Sequence, residues 1–188
     1  MQFNRGYLSP YFITNAHKME ANLDDPLVLL YARKLSNLEP PPPLLTTFFE
    51  SGRAIFIIAV DIDREALATL IVNKLRGSLK VAAIQAPGSG DHQMVILEDI
   101  AVFTGGHVIG QDTGIRLENA TIDMLGRAAS VVVKKGDTTI SDGAGTQNDI
   151  ADRIAQIQSQ IENAVLNNDK VKLQERIAKL ATGLEQGG

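Results

Sequence analysis

Apolar residues occur along this chain in two patterns, short unbroken runs and helical spacing, which indicate buried strands and packed helices. Unbroken runs predict strands at 27–31, 54–60 and 80–85, and shorter strands at 107–109 and 129–134. Helical spacing predicts helices at 44–50, 65–76 and 92–104. Glycines predict turns at Gly126 and Gly136. Because strands and helices alternate, the sequence predicts an α/β domain.

The last forty residues change to a purely helical pattern. Isoleucines recur at helical spacing at 150, 154, 157 and 161. The polar stretch 167–169 interrupts this pattern, and leucines and isoleucines then resume it up to Gly183, which we expect to end the helix. Two helical segments joined by a short break predict a helical hairpin.

Prolines and caps fix where two of the helices begin and end. The four prolines 40–43 cannot lie inside a helix, so the helix at 44–50 begins no earlier than Pro42 or Pro43. Gly52 is expected to end it, and Asp63 is expected to cap the helix at 65–76.

The helix at 65–76 carries more apolar residues than one buried face requires. We expect Leu70 and Leu75 to point inward. Leu67, Ile71 and Val72 would then remain outside. An outward apolar surface of this kind is typical of a binding site.

The first thirteen residues hold four of the chain's nine aromatic side chains, around Gly6 and Pro10. Apolar residues without strand or helix periodicity, broken by Gly and Pro, favour an ordered surface segment over a core strand. Contiguous exposed apolar surface marks an interaction site. The segment therefore indicates a protein that binds other proteins.

Composition excludes several classes of function. A length of 188 residues suits one domain, and the net charge of -4 with a pI near 5.4 argues against nucleic acid or an anionic membrane as partner. The absence of cysteine excludes disulfides and thiol catalysis. The first residues lack the basic and apolar regions of a signal peptide. We therefore expect a reducing, soluble compartment.

One stretch, 80–92, has the form of a nucleotide site: a strand, a GxG turn and a helix. The dinucleotide motif lacks its third glycine, because Gln93 stands there, and a structural turn is favoured. Ser89, Asp91 and His92 have the residue types of a hydrolase triad, but sequence neighbours seldom achieve triad geometry. A small α/β nucleotide-binding enzyme stays an alternative hypothesis.

Six blocks of sequence resemble the apical domain of a group I chaperonin of the GroEL type. The blocks are FNRGYLSPYFIT at 3–14, EALATLIVNKLRG at 65–77, KVAAIQAPGSGD at 80–91, LEDIAVFTGGHVI at 97–109, TTISDG at 138–143 and KLQERIAKLATG at 172–183. The resemblance implies an apical domain at 1–183, with 184–188 as a tail. It further implies a β-sandwich core flanked by helices, with a C-terminal helical hairpin.

The resemblance also implies a function. Apical domains of this family capture non-native polypeptides and the mobile loop of the GroES cochaperonin in an apolar groove between two helices. The family's binding positions fall here on Tyr7, Tyr11, Phe12, Leu45, Leu67, Ile71 and Val72, with Asn73 and Arg76 at the rim. Two places depart from the family. In the first groove helix Pro42 replaces a leucine and Thr46 replaces an acidic residue, and the stretch 88–94 lacks an aromatic residue and three positive charges that the family carries there.

The family's ATP site lies in an equatorial domain outside the matched blocks. We therefore expect no cofactor and no enzyme activity in this segment, which would form about a third of the subunit, while the full-length family uses ATP and Mg. The segment is expected to be monomeric and the full subunit to form a double heptameric ring. The implied compartment is the bacterial cytoplasm, or the mitochondrial matrix or plastid stroma. A domain dedicated to one partner is a further alternative.

Overall fold

The computed structural model describes residues 1–111 and 114–185, except for the side chains of Phe49 and Glu185. Its helices are α1 (Pro43–Ser51), α2 (Arg64–Leu75), α3 (Asp91–Thr104), α4 (Gln147–Asn163) and α5 (Asn167–Glu185). Its strands are β1 (Gln2–Phe3), β2 (Ala21–Asp24), β3 (Leu27–Leu35), β4 (Ala54–Ile62), β5 (Lys80–Gln85), β6 (Val108–Ile109), β7 (Gly126–Val133) and β8 (Thr138–Gly143). The predicted α/β class is confirmed.

The eight strands form one mixed sheet in the order β1-β8-β7-β3-β4-β5, with β2 also paired to β7 and β6 to β3. Strands β3, β4 and β5 are parallel, whereas β7 pairs antiparallel with β2, β3 and β8. Strand β2 also passes close to β4 and β5 without hydrogen-bonding to them. The described strands therefore form one mixed sheet, and the β-sandwich core that the resemblance implies stays a prediction.

The parallel strands form the centre of the core because their residues are apolar on both faces. Residues Ile55–Ala59 of β4 are completely buried, as are Ala82–Ile84 of β5. This is the pattern of a parallel sheet covered on both sides. The predicted strands at 27–31, 54–60 and 80–85 are confirmed, and β3 continues to Leu35.

Gly126 is the first residue of β7, and the prediction of a turn there is wrong. It pairs with Val28, and a side chain at this position would collide with Thr104 of α3. The glycine therefore allows the strand and the helix to approach closely. Gly136 does lie in the predicted turn, between β7 and β8.

The predicted helical hairpin is confirmed as α4 and α5, but the break between them and the end of α5 lie at other residues than predicted. The break lies at 164–166, and the polar stretch 167–169 opens α5 rather than interrupting it. Helix α5 also continues through Gly183 to Glu185, so Gly183 does not end it. A Cβ there would press against Ile150 and Phe103, so the glycine permits close helix packing. Of the tail expected at 184–188, residues 186–188 lie outside the described residues.

A buried carboxylate ties the hairpin to α3. Asp99 accepts hydrogen bonds from Arg176 Nε at 2.7 Å, from Arg176 Nη2 at 3.0 Å, and from Arg153 Nε at 2.9 Å. Asp99 and Arg176 are almost inaccessible to solvent. Because each buried charge has an opposite charge in contact, the network holds α3, α4 and α5 in one arrangement.

The two ends of the described fold meet on one side. Lys179 Nζ of α5 donates to the carbonyl oxygen of Gln2 at 2.7 Å and lies 5.5 Å from the centre of the Phe3 ring. Within the described residues, no helix is both long enough and apolar enough to cross a membrane.

Candidate functional site

Helix α2 begins as the sequence predicts. Asp63 accepts a hydrogen bond from the backbone N–H of Ala66 at 2.9 Å, which satisfies one of the free donors at the helix start. Ala66 and Leu70 are buried against the core. The expectation that Leu75 also points inward is wrong, because this side chain is 62% exposed at the last position of the helix.

The three outward residues expected on α2 have two different environments. Leu67 and Ile71 are half-buried and pack against the hydrophobic core. Val72 is 42% exposed. Leu67 and Ile71 are four positions apart and share one line along the helix, whereas Val72 lies on the neighbouring line with Ala68.

A cleft of about 420 Å³ lies between α2 and the segment that precedes α1. Val72, Asn73 and Arg76 line it from α2, together with Ala68 and Thr69 one turn earlier; Leu38, Glu39 and Pro41 line the other side. We call Leu38, Glu39 and Pro41 the proline wall. The cleft combines apolar surface with a few polar groups, as ligand sites do.

The segment that carries the proline wall leads into a firmly anchored helix. Pro42 caps α1 with a φ of -57°, and Pro43 is its first residue, so the predicted start is confirmed. The carbonyl oxygen of Pro42 accepts the backbone N–H of Thr46 at 3.1 Å and its hydroxyl at 3.3 Å. Gly52 ends the helix in the left-handed conformation, at a φ of 70°. The proline wall therefore leads directly into a helix whose start and end are fixed by the backbone.

Polar groups on the α2 side remain available at the cleft. The side-chain amide of Asn73 donates to the carbonyl oxygen of Thr69 at 2.8 Å, which fixes the amide and leaves its oxygen as an acceptor. Arg76 is exposed, and its guanidinium contacts no acceptor among the described residues. Both groups can hydrogen-bond to the backbone of a bound chain.

The N-terminal segment is ordered, as expected, but the expectation of a surface segment instead of a core strand is wrong for its start, because Gln2–Phe3 forms β1 and Phe3 is buried. Leu8 donates its backbone N–H to Ala83 of β5 at 3.2 Å, and Tyr7 donates to Lys134 at 3.1 Å. The 3-10 turn Pro10–Phe12 lies beside α2. Tyr11 is 61% exposed there, and Tyr7 is half-buried. Tyr11 provides apolar surface near α2, and neither tyrosine lines the cleft.

Two of the predicted binding residues are buried, and we correct their assignment. Phe12 and Leu45 are completely inaccessible to solvent. Phe12 closes the 3-10 turn over the core, while Leu45 faces inward from the first turn of α1. Their side chains belong to the hydrophobic core and present no surface to a ligand.

The structure thus brings three of the nine predicted residues, Val72, Asn73 and Arg76, into one cleft. Sequence reasoning missed five lining residues: Leu38, Glu39, Pro41, Ala68 and Thr69. Helical spacing carried a signal for two of them, because positions 68 and 69 lie one turn before 72 and 73. The residues of the proline wall follow neither helical nor strand periodicity, so no sequence pattern indicated that they line a cleft.

The GxG turn at 88–90 is fastened by its own contacts. Arg5 donates to the carbonyl oxygen of Gly88 at 3.2 Å, and the buried side chain of Gln93 donates to Ala86 at 3.0 Å. Gly90 precedes α3 with a φ of 57°. Ser89, Asp91 and His92 form no hydrogen bonds with one another among the described residues. These contacts support a structural turn.

The part of the chain that the structure describes contains no group of three or more His, Asp or Glu placed to hold a metal ion. No family model matches the chain.

Proposed function

We propose that this chain is a polypeptide-binding domain of the group I chaperonin apical type. It captures apolar segments of non-native proteins, and the loop of a GroES-type cochaperonin, in the cleft between α2 and the proline wall. The observation that carries the proposal is the cleft itself: the proline wall faces a helix that exposes Val72 beside the free oxygen of Asn73 and the guanidinium of Arg76. In this proposal the finer fold is that of a chaperonin apical domain.

The chemistry of the cleft suits a ligand without a fixed sequence. Apolar contact contributes roughly 25 cal/mol of binding free energy for each Å² of apolar surface removed from water, whichever apolar side chain supplies that surface. Arg76 can donate to peptide carbonyl groups, and the free oxygen of Asn73 can accept from peptide N–H groups, both of which polypeptides have. Exposed Leu75 and Tyr11 extend the apolar surface beyond the cleft. An apolar segment that is exposed only in unfolded chains therefore binds, whereas a folded protein exposes little apolar surface for the cleft to contact.

The proposal includes the larger assembly. The segment itself carries no cofactor and no catalysis, and ATP with Mg acts in another domain of the full subunit. Full subunits assemble as a double heptameric ring, in the bacterial cytoplasm, the mitochondrial matrix or the plastid stroma. The isolated segment is a monomer, and its partners are polypeptides rather than nucleic acid or membranes.

A matched pair of valines tests the cleft. Val72 on α2 and Val171 on α5 are 42% and 49% exposed, so glutamate is accommodated at both positions. We expect Val72→Glu to weaken binding of a reduced and alkylated, permanently unfolded protein about tenfold or more, because a carboxylate is desolvated in the complex. Val171→Glu should bind like the parent chain.

Fluorescence anisotropy with the labelled unfolded protein measures both affinities. Equal affinity for the two variants contradicts the proposed cleft. Binding of a GroES-type loop peptide with no binding of several unfolded proteins favours a domain dedicated to one partner. Thermal stabilisation by ATP and Mg favours the nucleotide-binding hypothesis.

A further inference from the structure

Glu39 is the one acidic residue that lines the cleft, and it stands on the proline wall. Its side chain is exposed and forms no hydrogen bond or ion pair with the described residues. Arg76 is the cation that lines the same cleft from α2, and no ion pair joins the two. Two opposite charges therefore face the cleft without neutralising each other.

The neighbours of Glu39 make its charge important once a ligand binds. Leu38 is buried beside it, and Pro41 adds a rigid apolar surface two residues later. An apolar segment that covers this wall removes water from the carboxylate. A buried charge without a partner is costly, whereas a charge with an opposite charge in contact is tolerated.

We infer that Glu39 is a specificity-determining residue, which selects apolar segments that carry a lysine or arginine where they cross the proline wall. The inference depends on the proposed function and adds the class of ligand. Arg76, on the facing side of the cleft, favours an acidic residue in the bound segment. Together Glu39 and Arg76 therefore add no net charge to the cleft. Selection therefore depends on where the cation lies along the bound segment and not on the net charge of the peptide.

A positional scan tests this selection. One uncharged apolar nonapeptide is made in nine versions with a single lysine moved along it, and in nine matched versions with glutamine. Affinities for the parent chain, Glu39→Gln and Glu50→Gln are measured by fluorescence anisotropy at low and high salt. Glu50 is exposed on α1 and does not line the cleft, so its variant is the matched control.

We expect lysine to be preferred over glutamine about three- to fivefold at one or two neighbouring positions, a size typical of exposed ion pairs. Glu39→Gln should abolish this preference, Glu50→Gln should retain it, and high salt should reduce it. A peptide with glutamate at the position where lysine is preferred should bind more weakly to the parent chain than to Glu39→Gln.

Two results overturn the inference, and they can be told apart from failure of the proposed function. One result is that the uncharged peptide binds, and that Val72→Glu weakens this binding, but that lysine is preferred at no position. In that case the role of Glu39 is wrong, while the cleft remains supported as the binding site. A lysine preference that survives in Glu39→Gln has the same consequence. If the uncharged peptide does not bind to the parent chain, both proposals fall.

Discussion

Leu45 and Val72 give opposite predictions, because one side chain is buried in the core and the other lines the cleft. Both positions belong to the set that the family resemblance assigns to ligand binding. Leu45 is completely buried in α1, whereas Val72 is 42% exposed on α2. Alanine at each position therefore separates loss of folding stability from loss of binding.

The expected magnitudes follow from burial. Leu45→Ala removes a fully buried side chain and leaves a cavity, which lowers the free energy of unfolding by about 2–5 kcal/mol. For a chain of this size each kcal/mol lowers the Tm by about 2–4 °C, so we expect a decrease of roughly 4–20 °C. Val72→Ala changes the free energy of unfolding by about 0.5 kcal/mol or less, because alanine also favours the helix.

Urea unfolding followed by circular dichroism gives both stabilities, and peptide binding is then measured at 10 °C, where both variants are folded. We expect Leu45→Ala to bind within about twofold of the parent chain, and Val72→Ala to bind about three- to fivefold more weakly, since part of a valine contact is lost. Our interpretation is refuted if Leu45→Ala is as stable as the parent and binds peptide poorly. That result would place Leu45 at the surface in the binding state.

Three further substitutions test the framework around the site by urea unfolding. Asp99→Asn should lower the free energy of unfolding by about 3–5 kcal/mol, because it leaves a buried guanidinium without its counter-charge, whereas exposed Asp152→Asn should change it little; equal effects would contradict the network. Asp63→Ala should cost about 1 kcal/mol through loss of the α2 cap, and no change would mean that the cap contributes nothing. Gly126→Ala should cost about 1–3 kcal/mol, since the added methyl meets Thr104, and an unchanged stability would show that α3 can shift away from β7.

Local sequence patterns predicted the parts of the fold that local physics determines. The run Ala54–Val60 is apolar on both faces, and a buried parallel strand is the element that accommodates this pattern. Asp63, Pro43 and Gly52 act through backbone geometry within a few residues, so their roles as cap, start and stop were accessible from the sequence. Strand β2 was missed because its four residues, ANLD, carry no strand pattern without their partner β7.

The candidate site was predicted less well, because burial depends on residues distant in the chain. Phe12 follows Gly and Pro in an irregular segment, and only the fold shows that the core covers it. Leu75 has the chemistry of a core residue, but α2 ends there and its side chain extends into solvent. The cleft itself joins positions 38–41 to 68–76, and no pattern within either stretch indicates the other.

The hydrogen bond between Lys179 and Gln2 has a mechanical consequence. It holds the first strand beside the last helix, at Gln2 and Lys179. A force that pulls these two positions apart acts first on this contact, and not on the hydrogen bonds between the central strands β3, β4 and β5. Since none of the residues that line the cleft belongs to β1 or α5, we expect the cleft to keep its shape under such a force.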